Sequence, residues 1–83
     1  MIAVANSLDR AVRTFRTAQA AVEAAHRRLA ESRVRADAAR TALHEAIVEA
    51  ALDGMRQGDI VRLTGYTRER IRQILRAGGV EPD

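Results

Sequence analysis

From Ser7 to Asp53 the chain carries neither a glycine nor a proline; the first glycine is Gly54 and the only proline is Pro82. With no residue that breaks helical backbone, and with alanine the most abundant residue type, this stretch is expected to be one α-helix. Asn6 or Ser7 offers an N-cap, and Asp9 falls in the first turn, where a carboxylate meets the positive end of the helix dipole. Gly54 can take the left-handed conformation that ends a helix. A helix of about 47 residues reaches roughly 70 Å. Its apolar stripe cannot be buried by the helix itself, so another element or another copy of the chain has to cover it.

That stripe repeats every seven residues. Leu8, Phe15, Val22, Leu29, Ala36, Leu43 and Ala50 occupy one heptad position, and Ala11, Ala18, Ala25, Ser32, Ala39 and Ala46 occupy its partner position. This is the pattern of a coiled-coil seam, with Leu8, Phe15, Val22, Leu29 and Leu43 as its large residues. Asp9 with Arg13, Glu23 with Arg27 and Glu31 with Arg35 are acid-first pairs four residues apart that support the exposed face. Large residues on one seam position and small ones on the other pack most evenly when two helices run antiparallel, each large residue meeting a small one. Against that packing, Arg28, Arg33, Arg35 and Arg40 flank the seam and crowd one another in some registers. A bundle of more than two helices, or a hairpin bending near residues 31–37, are the other arrangements this pattern allows.

From Leu43 the apolar face widens to include Ile47, Val48, Ala51 and Leu52, more than a two-position seam needs. Two short helices are expected to pack there: residues 57–64 with Ile60, Val61 and Leu63 inside, and residues 67–77 with Ile71, Ile74 and Leu75 inside. The chain thus reads as all-α, with a long helix over residues 1–52 as an oligomerisation stalk, a three-helix head over 43–79, and a frayed tail over 80–83. All 14 basic residues are arginine, set against 11 acidic ones. Residues 54–80 hold six of those arginines against Asp59 and Glu69, a net charge of +4, so the head is basic and the stalk nearly balanced.

Between the short helices lies "LTGYT", a turn with a glycine followed by Thr67, which can cap the next helix. Counting twenty residues from Gln57 as the first, Gly65 falls ninth, Ile60 fourth, Ile71 fifteenth and Ile74 eighteenth, the turn and core slots of a helix-turn-helix unit. Val61 fills the fifth slot, where Ala or Gly is commoner. "TRERIRQI", Thr67 to Ile74, resembles the recognition-helix segment of region 4 of primary bacterial sigma factors, and small bacterial and phage DNA-binding regulators carry similar segments. The resemblance covers about residues 57–76. It implies that Arg68, Glu69 and Arg72 read base edges, with Gln73 and Thr67 at the periphery of the contact. Sigma factors continue this helix with further basic turns, whereas Ala77, Gly78 and Gly79 end it here.

The residue chemistry points the same way. Arg grips guanine O6 and N7, and Glu accepts from cytosine N4. Arg56, Arg62, Arg70 and Arg76, with Thr67, are placed to hold phosphates. The expected function is double-stranded DNA binding by a homo-oligomer, in transcription regulation or nucleoid organisation. Antiparallel stalks favour bridging of two duplexes; parallel ones favour a repressor on a palindrome. The alternative is a protein-interaction adaptor whose long helix docks on RNA polymerase or another partner. No nucleophile and base pair, phosphate loop or metal-ligand cluster is legible, so neither an enzyme nor a cofactor, metal or small-molecule ligand is expected. His26 and His44 read as surface or seam-edge residues, and Tyr66 as either packed or touching phosphate. Without cysteine or an apolar span, the expected compartment is the cytoplasm, at the nucleoid.

Overall fold

The computed structural model describes residues 1–81, and those residues form three helices and no strand: α1 (Ile2–Leu52), α2 (Gln57–Thr64) and α3 (Arg68–Ala77). Helix α1 starts before the cap sites that the sequence offers. Neither Asn6 nor Ser7 caps it, and its first turn contains no acid, so Asp9 lies deeper in the helix than expected. "IAVA" contains no breaker, and extending an existing helix by one residue adds a hydrogen bond without a new nucleation cost; Ala5 N–H accordingly donates to Met1 O at 3.0 Å. Residues 31–37, where the hairpin arrangement would bend, are helical within α1.

Both longer stops use the same device. At the end of α1, Gly54 adopts φ +99°, and the Gly54 and Met55 N–H groups donate back to Ala51 O (3.1 Å) and Ala50 O (2.9 Å). At the end of α3, Gly79 and Val80 donate to Arg76 O (3.0 Å) and Leu75 O (2.8 Å). This is the Schellman pattern, which satisfies carbonyls left over at a helix end and brings the residue after the glycine onto the last turn. Val80 therefore packs half-buried against the core and belongs to the helix stop, not to a frayed tail. Pro82 and Asp83, the rest of that expected tail, lie outside the described residues.

The chain divides into two units, Met1–Arg35 and a second beginning at Ala36. In the first, the large seam residues are all exposed, from 48% at Leu29 to 65% at Phe15. Of the three expected ion pairs only Asp9 with Arg13 closes, at 3.2 Å. Arg35 instead donates to Ser32 Oγ at 3.2 Å, a shorter reach than Glu31 offers. Such exposed pairs contribute little to stability.

The second unit has the core. Ile47 of α1, Ile60 of α2 and Ile71, Ile74 and Leu75 of α3 are buried, with Val48, Ala50, Ala51, Val61, Tyr66 and Val80 packed around them. Two residues expected inside are not. Leu63 is 77% exposed and Leu52 71% exposed. In an eight-residue helix the face shared by Ile60, Val61 and Thr64 is the one turned inward, and a residue three places after Ile60 is rotated off it. Leu52 is likewise rotated off the face carried by Ile47, Val48 and Ala51.

Gly78, just past the end of α3, lies hard against Val48 of α1. A Cβ there would lie 2.6 Å from Val48 Cγ2 and 3.3 Å from Cγ1, and a β-branched side chain has little freedom to yield. Gly78→Ala should therefore destabilise the folded head by about 1–3 kcal/mol in chemical denaturation. Adding Val48→Ala should recover part of that loss. Additive effects of the two changes would show that the contact is not made.

Candidate functional site

The link from α2 to α3 is a turn whose polar groups are satisfied locally. Gly65 takes φ +74° and its N–H donates to Val61 O at 2.9 Å. At this backbone angle any other L-residue crowds its own carbonyl, which is why the turn needs glycine. Thr64 Oγ1 donates to Ile60 O at 2.7 Å and accepts from Tyr66 N–H at 3.2 Å. Thr67 is the N-cap of α3: its backbone is extended and its Oγ1 accepts from Arg70 N–H at 3.0 Å. That bond uses one lone pair and leaves the hydroxyl proton free to donate outward.

Helix α3 has two sharply different faces. Ile71 is wholly buried, and Ile74 and Leu75 nearly so, while Arg68, Glu69, Arg70, Arg72, Gln73 and Arg76 are exposed. At 3.6 residues per turn, Glu69, Gln73 and Arg76 occupy the centre of the outward face, Arg72 and Arg70 lie on its two flanks, and Arg68 stands nearest the buried face. Arg68 leans toward α2: its Nη2 lies 3.6 Å from where a Cβ on Gly58 would be. Arg70 Nη1 reaches Gln73 Oε1 at 3.5 Å, a long bond that links one flank to the centre. Glu69 in the first turn and Arg76 in the last complement the helix dipole.

The remaining arginines expected at this site lie around α2. Arg56 is its N-cap residue by backbone geometry, without a side-chain cap bond, and is exposed. Arg62 forms an ion pair with Asp59, one turn earlier on the same helix. Asp59 is the site residue that the sequence reading left out, although its spacing of three residues before Arg62 on a helix was the signal for it. Elsewhere in the head, Tyr66 is packed: its ring meets that of His44 edge-on, with centroids 6.3 Å apart and an interplanar angle of 74°. His44 is thus half-buried beside Tyr66, inward of the seam edge where the sequence suggested it would lie. The Nε2 atoms of His44 and Gln57 are buried without a hydrogen-bond partner among the described residues. The expected seam residues Leu8, Phe15, Val22, Leu29 and Leu43 all lie on α1 and are exposed.

No helix among the described residues is long and apolar enough to cross a membrane. Comparison of the chain with models of protein families, with curated proteins and with solved structures finds no match in any of the three.

The cap at Thr67 fixes where α3 begins and so where its charged side chains stand. Thr67→Ala should cost about 1 kcal/mol of head stability, and Thr67→Ser should restore most of it. Thermal unfolding followed by circular dichroism measures both, and an alanine variant as stable as the parent would show that the cap bond is not formed.

Proposed function

We propose that this protein binds double-stranded DNA through α3 and self-associates through α1, serving transcription regulation or nucleoid organisation. The observation that carries this reading is the two-faced α3, anchored by Ile71, Ile74 and Leu75 and presenting Glu69, Arg72, Gln73 and Arg76 outward, on a head with a net charge of +4. An anchored helix with forked donors and an acceptor on its free face has the chemistry that base edges in a major groove require. The α2–Gly65–α3 arrangement serves as a helix-turn-helix unit, in keeping with the resemblance of residues 67–74 to the sigma-factor recognition segment. In this reading Arg68, Glu69, Arg72 and Gln73 face bases. Arg56, Arg62, Arg70, Arg76 and the Thr67 hydroxyl hold phosphates, which fix register without reading sequence. The exposed seam of α1 supplies the contact between copies.

Four phosphate-holding arginines imply that affinity per head falls about a hundredfold between 50 and 200 mM salt. On duplexes selected from a random pool, Arg72→Ala should cost about 1–3 kcal/mol at the preferred site and relax the preference, while Arg56→Ala should weaken all sequences alike and flatten the salt slope by about one. Absence of duplex binding at low salt would overturn the reading and favour a protein-interaction adaptor docking through α1. Equal behaviour of the two variants would remove sequence reading from α3.

The ion pair between Asp59 and Arg62 competes with phosphate for the same guanidinium. Asp59→Asn should therefore tighten duplex binding by roughly two- to fivefold, the worth of an exposed pair. Filter binding or fluorescence anisotropy reads this directly, and unchanged or weaker binding would place Arg62 away from the duplex.

A further inference from the structure

The head carries an apolar groove that the described residues leave open. One wall is Leu43, Ala46 and Ala50 of α1; the other is Met55 and the exposed Leu63, with Ile60 at the floor. The α1 wall is not an arbitrary surface. Leu43 and Ala50 share one heptad position and Ala46 is its partner, so seam positions line this wall of the groove.

The opposite end of α1 offers a matching element. Because the helix begins at Ile2, the seam extends four residues further than its first clear sequence signal: Val4 takes the position of the small residues, ahead of Leu8. Both are exposed, Val4 at 72% and Leu8 at 64%. We propose that the groove under Leu63 receives the N-terminal turns of α1 from a second copy of this chain, with Val4 against Ala50 and Leu8 against Ala46, in an antiparallel pairing.

Two observations select this occupant. The first is register. Once Leu8 meets Ala46, each remaining large seam residue meets a small one: Phe15 faces Ala39, Val22 faces Ser32, Leu29 faces Ala25 and Leu43 faces Ala11. The second is charge. In a parallel pair, the positions flanking the seam set Arg28 of each chain against the other chain's Arg33, and Arg35 against Arg40, so four arginine pairs repel. The antiparallel register leaves one, Arg28 against its own copy at the two-fold axis. Leu63, which the fold of a single head does not bury, then covers the partner's Val4 and Leu8. The proposal rests on the self-association reading above and adds the segment, the register and the orientation to it.

The chain contains no cysteine, so single cysteines report position cleanly. Chains carrying Val4→Cys and Ala50→Cys, mixed and mildly oxidised, should cross-link to each other, and neither should cross-link to itself. Cross-linking of Val4→Cys with its own kind shows a parallel pair and overturns the proposal. A Val4→Cys chain that joins Leu43→Cys in preference to Ala50→Cys shifts the register by a heptad, leaves the groove open and also overturns it. Leu63→Glu gives an independent readout. Since Leu63 is exposed in the single chain, the variant should keep the parent's helical signal while self-association weakens at least about tenfold in sedimentation; unchanged self-association removes the groove from the interface. A parent chain that sediments as a monomer ends the self-association reading itself. A dimer with the wrong cross-links ends only this proposal.

Discussion

Everything α3 presents depends on the burial of Ile71 in one core with Ile47 of α1 and Ile60 of α2. An isolated ten-residue helix with four arginines has no stable helical state in water, because nucleation costs more than so few backbone bonds return. Ile71, Ile74 and Leu75 replace that missing stability with packing, and in doing so they decide which side chains are turned away from the core. The charged face is thus a by-product of the apolar one. A shift of one residue in the aliphatic positions would carry a different set of arginines outward.

The same anchoring explains why the last part of α1 is so unlike the rest of it. Near Ile47 and Val48 the helix has a local partner, close enough that only glycine fits at position 78. In the Met1–Arg35 unit the seam residues stand exposed, and the helix is held by alanine-rich local preference alone. A stripe of Leu, Phe and Val in water is unfavourable at about 25 cal/mol for each Å² left uncovered, a cost that the proposed second chain would relieve.

Much of this was legible in the residues. The end of α1 at Gly54, both short helices, the Thr67 cap and the burial of Ile60, Ile71 and Ile74 follow from turn chemistry and helical spacing. The start of α1 was not legible, since cap preference at Asn6 and Ser7 is weaker than continued elongation through alanine. Leu63 and Leu52 were misplaced for a related reason: hydrophobicity says that a residue would gain from burial, while only the rotation of the helix says whether anything lies over it. The ion pair of Arg62 with Asp59 and the lean of Arg68 toward Gly58 depend on rotamers, which spacing restricts but does not choose. Val80 looked like a tail because the Schellman stop that draws it inward is a backbone property of Gly79.

That stop has one more consequence. By ending α3 after ten residues, Gly78 and Gly79 limit it to about 15 Å, which on the DNA-binding reading is the rise of about four base pairs. Four pairs carry about eight bits, so one head singles out roughly one sequence in 256, against the ~10⁶–10⁹ sites that a genome offers. An address that short is met thousands of times. Where such a protein acts would then be set by how many heads engage at once and by how many copies the cell holds, with the content of any single site contributing only a local bias.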